Sequence, residues 1–245
     1  MKNWHSQDSE KKLGDNEIHI WLNYLNLHQA RLKHLYPLLS AAEKERSERF
    51  KHYKPRKNYI ASHGFLHTVL SYYVNTPANE ITFSLGEQGK PSIIDEQNSE
   101  NIQFNLSHSG NLAILAVCKN HQLGVDIEHT DRKADWGGIA RRFFTEDEQG
   151  KFFQLNENMQ EDAFYKVWTR KEAHMKVTGK GLSLSPTQFE ISIPPEPAAF
   201  IRNLKAEDNN LYKMQDIDLP DIYNDYHASL SATFDFQELK SFIHS

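Results

Sequence analysis

The chain reads as an α+β protein of two similar halves, each a small, mostly antiparallel sheet packed with a long helix. Three observations predict this. Strand-like and helical patterns follow one another in the order strand, helices, strands, and that order occurs twice. The strand-like runs are short and closely spaced, which favours antiparallel hairpins over a doubly wound sheet. The length, 245 residues, suffices for one large domain or two modest ones with a buried core. A junction near Asn120–His121 gives halves of 1–120 and 121–245. A small-molecule site is expected in the cleft between them.

Ile18–Leu22 alternates loosely and opens the first half as a strand. Leu25, Leu27, Leu32, Leu35 and Leu38–Leu39 recur at helical spacing. Ser40 followed by Glu43 has the form of a capping box, opening a charged helix toward Phe50. Pro55 suits the first turn of a longer helix, whose apolar face is Tyr59, Ile60, Phe65, Leu66, Val69, Leu70 and Tyr73. Strand-like runs follow at Ile81–Leu85, Ile102–Leu106, Leu112–Cys118 and Leu123–Glu128, separated by turns at Gly86–Pro91 and Ser109–Asn111. After Asp135 the chain returns to helix. Thr145 with Glu148 repeats the capping-box pattern, and Glu161–Thr178 is the longest helical stretch of the second half. Strand-like pieces close the chain at Phe189–Ile193, Leu211–Ile217 and Tyr226–Phe234.

Composition sets outer limits. Hydrophobic residues make up 38% and charged residues 25%, as in a folded soluble protein. A net charge of −5 argues against a nucleic-acid partner held by a basic field. The polar start, Met1–Asn16, lacks the apolar core of a secretory signal, and the apolar run Leu112–Cys118 is too short to span a bilayer. Cys118 is the only cysteine, so no intrachain disulfide forms. A reducing cytoplasm is the expected compartment, with Cys118 a buried, inert thiol.

Four segments carry candidate chemistry. In Gly124-Val125-Asp126-Ile127-Glu128, residues two apart on a strand share a face, so Asp126 and Glu128 project together. Paired carboxylates repel unless a cation or proton lies between them, and oxygen-only ligands suit magnesium. A solvated acidic edge strand is the competing reading. The second segment is helical: Phe164, Val167, Trp168, Lys171 and Met175 form one face, Glu172 lies one turn beyond Trp168, and Lys176 one turn beyond Glu172. A surface Glu–Lys pair on an amphipathic helix is its plain alternative. Gly179-Lys180-Gly181-Leu182 then ends the helix, and Gly179 suits a left-handed cap. Lys171, Lys176 and Lys180 thus gather beside Glu172, an arrangement fitted to a polyanion next to a carboxylate-held metal. The third segment, Asn105–Gly110, offers Ser107, His108 and backbone donors to phosphate oxygens; as a hydrolase pair, adjacent Ser and His rarely face each other. The fourth, Gly89-Lys90-Pro91, is a turn.

Taken in order, Gly-Lys-Pro, Asn-Leu-Ser-His-Ser, Gly-Val-Asp-Ile-Glu, Arg-Phe-Phe at 142–144 and Trp-x-x-Lys-Glu-Ala-x-x-Lys-x-x-Gly-Lys-Gly-Leu resemble the 4′-phosphopantetheinyl transferases. The likeness is to the larger, monomeric type that activates peptide and polyketide synthetases, and it spans roughly residues 18–193. It implies transfer of the phosphopantetheine arm of coenzyme A to a serine of an apo carrier protein, with release of 3′,5′-adenosine bisphosphate. It further implies Asp126, Glu128 and Glu172 as magnesium ligands, Glu172 as the base, and Lys176 at the departing phosphate. His108, Ser107 and Lys171 would bind coenzyme A phosphates, and Gly89, Lys90 and Pro91 would line the adenine side. For the 3′-phosphate the resemblance suggests Lys44, Arg46, Arg56 and Lys57; the chain departs from the family in that the usual arginine position falls near Asn58. His63 and His67 are read as structural, since no glutamate follows His63 as a zinc-protease helix requires. Two other functions use the same residues: a magnesium-dependent phosphohydrolase, and a non-catalytic carrier-binding module.

Overall fold

The computed structural model describes residues 4–6, 11–86, 88–130, 135–179, 184–204 and 211–244. The chain divides into two compact units, Asn3–Asn120 with Glu238–Ser245 and His121–Gln237.

The first unit is built on β1 (Trp4–Ser6), β2 (Glu17–Tyr24), β3 (Phe83–Leu85), β4 (Pro91–Ile93), β5 (Ile102–Ser109) and β6 (Leu112–Lys119). Its helices are α1 (Gln29–Leu35), α2 (Ala41–Glu48) and α3 (Tyr53–Leu70). The five-stranded sheet takes a last strand, Glu238–His244, from the far end of the sequence. This strand lies between β1 and β2 and is parallel to both. The expected second half, 121–245, therefore gives up its final strand to the first unit. The remaining pairs of this sheet, β2 with β6 and β6 with β5, are antiparallel, and β3 and β4 form a separate hairpin.

Seven of the eight residues of β2 are buried, because it is a central strand covered on both faces; its alternation in sequence is correspondingly loose. On one face α3 buries Tyr59, Ile60, Phe65, Leu66, Val69 and Leu70 against Trp21, Phe104, Leu115 and Val117. Phe242 of the last strand stacks on Trp21 at 4.6 Å between ring centroids. Just past α3, the Tyr73 hydroxyl accepts from Trp21 Nε1 at 2.7 Å and so turns its proton to His19 Nδ1, also at 2.7 Å. The expected helix over Leu25–Leu39 is shorter. Leu25 N–H donates to Asn111 O at 2.7 Å, and after α1 the chain tightens into a 3-10 turn at Tyr36–Leu38 around Pro37. A proline inside an α-helix would remove a bond and clash with the preceding turn.

The second unit holds β7 (Leu123–His129), α4 (Trp136–Phe143), α5 (Glu146–Phe153), α6 (Glu157–Val177), β8 (Phe189–Ile191), β9 (Phe200–Asn203), β10 (Lys213–Asp216) and β11 (Tyr226–Ala232). The strand of the first unit described above, Glu238–His244, is β12. Strands β10, β11 and β7 make an antiparallel sheet in that order, while β8 and β9 form a hairpin. Helix α6 begins a turn earlier than expected and is buried on nearly all sides. Toward the β8–β9 side it joins Phe144, Phe152, Phe189 and Ile191 through Phe164, Val167 and Met175. Toward the sheet it meets β7 and β11, and Thr169 Oγ1 lies 2.9 Å from Ser229 Oγ.

Both capping boxes form. Ser40 N–H donates to the Glu43 carboxylate at 2.8 Å, Thr145 N–H to Glu148 at 2.8 Å, and each hydroxyl accepts in return.

Strand β7 and helix α6 pack backbone to backbone at Gly124. A Cβ there would stand 2.2 Å from Ala173 O, 2.4 Å from Val177 N and 2.9 Å from Lys176 C, all backbone of α6. No side-chain rotation relieves such contacts. Gly124→Ala is expected to cost about 3 kcal/mol, the upper end of ordinary overpacking, and to lower Tm by roughly 6–12 °C. Thermal unfolding followed by circular dichroism tests this; a Tm within about 2 °C of wild type would refute the close approach.

Candidate active site

The strand–helix contact at Gly124 sets the geometry of the second unit's charged residues. On β7, Val125 and Ile127 are buried on one face while Asp126 and Glu128 share the other. Their cross-strand partners on β11 are Ser229 and His227. Helix α6 presents Tyr165, Thr169, Glu172 and Lys176 at successive turns. The Tyr165 ring is parallel to His227, with centroids 5.9 Å apart. Lys176 Nζ donates to Asp126 Oδ1 at 2.6 Å and to Val125 O at 3.2 Å. Asp126 is only 4% exposed, so this ammonium is its charge partner across the strand–helix seam.

Glu172 is the most perturbed member of the set. Burial, the charge of Asp126 and, to a smaller extent, that of Glu128 push its carboxyl up to about 7, against the opposing pull of Lys176. Two negative charges already stand where a third would form. Among the described residues, no three carboxylate, imidazole or thiol groups converge as a finished metal cage. The donor chemistry nevertheless suits magnesium: Asp126, Glu128 and Glu172 offer oxygen only, and their mutual repulsion is what a divalent cation relieves.

The basic residues beside Glu172 in the sequence part company. Arg170 is buried and bidentate, with Nε 2.9 Å from Asp216 Oδ1 and Nη2 2.6 Å from Asp216 Oδ2. Asp216 Oδ1 also accepts from Ser229 Oγ at 3.0 Å, which completes a polar chain from Arg170 to Thr169. Sequence reading did not single out this chain, since Asp216 and Ser229 lie on strands far along the sequence. Lys171 is a correction. It was expected at coenzyme A phosphates, but its side chain is fully buried, 2.8 Å from Glu148 Oε2, and it donates to Pro186 O at 2.7 Å and Phe189 O at 3.2 Å. With those three partners its ammonium is already occupied. The third expected cation, Lys180, lies outside the described residues with Gly181 and Leu182; Gly179 does take the left-handed conformation, with φ +65°.

The other expected ligand contacts belong to the first unit. Ser107 and His108 lie within β5 rather than in the turn beyond it, and as neighbours on a strand they face opposite sides, Ser107 buried and His108 exposed. A Ser–His nucleophile pair is therefore not formed. Asn58 donates to Gly110 O at 3.1 Å, tying α3 to the turn after β5. Gly89 holds φ +79° in the β3–β4 turn, Pro91 opens β4, and burial pushes the Lys90 amine down to about 8. Lys44 Nζ donates to Pro37 O at 3.3 Å, Arg46 lies over the Tyr59 ring, and Lys57 donates to Asn26 Oδ1. Arg56 is half-buried near the start of α3. His63 and His67 both bond to Glu43, at 2.7 and 2.9 Å. Burial alone would raise the Glu43 carboxyl, but His63, His67 and Ser40 hold it well below the usual range.

Comparison with known proteins agrees across both halves. Residues 122–231 match the profile of the 4′-phosphopantetheinyl transferase superfamily, and residues 26–120 match that of the 4′-phosphopantetheinyl transferase N-terminal region. Over 196 residues the chain is 32% identical to the 4′-phosphopantetheinyl transferase HetI of Nostoc sp., covering 80% of this chain and 82% of that protein. The 4′-phosphopantetheinyl transferase ffp of Bacillus subtilis is 34% identical over 68% of this chain and 72% of its own length. The 4′-phosphopantetheinyl transferase gsp of Aneurinibacillus migulanus is 28% identical over 82% and 81%. No described helix is long and apolar enough to cross a membrane.

The raised Glu172 carboxyl makes a pH-dependent prediction. Ionising it costs the folded state more than the unfolded one, so the penalty grows as pH rises from the ordinary carboxylate range toward 7 and is constant above. In chelator, Glu172→Gln is expected to stabilise the protein by about 1–3 kcal/mol at pH 8 and by almost nothing near pH 4. Denaturant melts at the two pH values measure this, and an equal difference at both would refute it.

Proposed function

The chain belongs to the 4′-phosphopantetheinyl transferase superfamily, and from that membership we propose a magnesium-dependent reaction centred on Asp126, Glu128, Glu172 and Lys176. The protein is a transferase of the larger type, moving a phosphopantetheine group to carrier proteins. Membership implies coenzyme A as the donor, and the proposed products are the holo carrier protein and 3′,5′-adenosine bisphosphate. The observation that carries the residue assignment is the gathering of Lys176 and the raised Glu172 carboxyl with Asp126 and Glu128.

In this reading Asp126, Glu128 and Glu172 would hold magnesium, which would supply positive charge to the pyrophosphate under attack. Glu172 takes the proton of the carrier serine, directly or through a water, with its basicity lowered by metal ligation. Lys176 turns its ammonium to the departing phosphate. Ser107 and His108 are proposed to bind coenzyme A phosphates, with Gly89, Lys90 and Pro91 on the adenine side. Lys44, Arg46, Arg56 and Lys57 remain the proposed 3′-phosphate grip. Lys171 is left out, because its charge is already paired with Glu148. We further place the enzyme in the cytoplasm, supported by its single buried cysteine, with no nucleic-acid partner, supported by its net charge of −5, and as a monomer.

Incubation with coenzyme A, magnesium and a panel of apo carrier proteins is expected to add the mass of one phosphopantetheine arm to a carrier. No addition to carriers from both fatty-acid and peptide-synthetase systems would defeat the reading. Glu172→Ala is expected to lower the transfer rate by about 10²–10⁴-fold with an unchanged far-ultraviolet spectrum, whereas turnover like wild type would remove Glu172 from its role.

A further inference from the structure

A carboxylate as enclosed as Asp126 must find positive charge, and here it finds it in the protein itself. Lys176 reaches it from the last turn of α6, 2.6 Å from Oδ1, with a second bond to Val125 O at 3.2 Å. The two ends of this pair differ in access: the Asp126 side chain is 6% exposed and that of Lys176 26%. The lysine is thus the more accessible partner of the pair.

The neighbouring cations of the helix are held differently. Arg170 is fixed by a planar two-bond clamp on Asp216 plus a 2.8 Å bond to Ser192 O. Lys171 is sealed in at 0% exposure by Glu148 and two carbonyls. Lys176 instead carries a flexible stem and a side chain that is 26% exposed, so its charge can leave Asp126 without being stranded in an apolar interior. A divalent cation and an ammonium cannot share one carboxylate oxygen at bonding distance, since their like charges repel.

We propose that Lys176 is the resident counter-ion of Asp126 and competes with the divalent cation for it, so that metal loading and release of the Lys176 ammonium are one exchange. The inference rests on the reading of Asp126, Glu128 and Glu172 as metal ligands. Its consequence is a built-in order. Whatever the lysine contributes to holding Asp126 is subtracted from the affinity for metal, and by linkage a phosphate group that draws Lys176 away tightens the metal by the same factor as the metal tightens the phosphate. The site then charges fully only when cation and phosphate donor are both present. Lys176, once released, is freed on the strand–helix seam that carries the carboxylates.

Manganese is a suitable probe, because free Mn2+ is counted directly by electron paramagnetic resonance. Without coenzyme A, Lys176→Met is expected to bind Mn2+ about five- to tenfold more tightly than wild type, and Lys176→Arg, which keeps the charge, to stay near wild type. Equal or weaker binding by Lys176→Met overturns the exchange. A second readout follows the lysine itself. Acetic anhydride labelling of Lys176 in the wild-type protein, measured by mass spectrometry, should rise several-fold when saturating Mn2+ is added. It should already be high without metal in Asp126→Asn, and unchanged labelling in both overturns the proposal. Absence of Mn2+ binding in every form, with or without coenzyme A, would instead remove the metal-ligand reading on which the exchange stands.

Discussion

The geometry of the charged residues depends on one absent side chain. At Gly124 the backbone of β7 touches the backbone of α6, and that contact lowers the helix onto the strand. Only then does a lysine on the last helical turn reach both Asp126 and the carbonyl of Val125. One turn earlier, Glu172 comes under the charge of Asp126 and Glu128. Two turns earlier, Thr169 meets Ser229. The glycine of Gly-Val-Asp-Ile-Glu is therefore a packing requirement rather than a flexible joint, and it makes two segments of sequence into one site.

The cations of α6 show how a helix divides one kind of charge among several duties. Arg170 and Lys171 are adjacent, so they leave the helix about 100° apart. The first pins the edge strand β10 through Asp216, and the second pins α5 and the β8 region through Glu148. Lys176 points to Asp126 of β7. Removing one member of a buried pair leaves an uncompensated charge at a cost of about 3–5 kcal/mol, so Arg170 and Lys171 belong to stability. In the proposed reading the chemistry is left to Glu172 and Lys176, which are both half-buried.

Sequence patterns revealed whatever is decided locally. Both capping boxes, the long helices, the apolar face of α3, the antiparallel runs and the shared face of Asp126 and Glu128 follow from spacing within a few residues. The left-handed Gly179 was legible for the same reason. What escaped was set by partners far away in the chain. The strand at Glu238–His244 carries a weak pattern of its own and exists because β1 and β2 flank it. Lys171 reads as a ligand cation until Glu148 is known to wait beneath it. Asp216 looks like any exposed acid in a short strand, yet it accepts a two-bond clamp from a buried arginine. Ser107 and His108 look like a polar turn because glycine follows, but the ladder with β6 continues through them and separates their faces.

The two halves also share a device that neither motif alone would disclose. Each opens a helix with a hydroxyl–glutamate box, Ser40 with Glu43 and Thr145 with Glu148. In each, the glutamate does more than close the box: it goes on to accept from the long helix of its own unit. Glu43 binds His63 and His67 of α3, and Glu148 meets Lys171 of α6. A capping carboxylate satisfied only by its own turn would stabilise that turn alone. Tied across to the long helix, it fixes the short helix against it, so that local capping and tertiary packing depend on the same two oxygens. That recurrence explains why residues with opposite outward appearances, two histidines in one half and a lysine in the other, are structural in both.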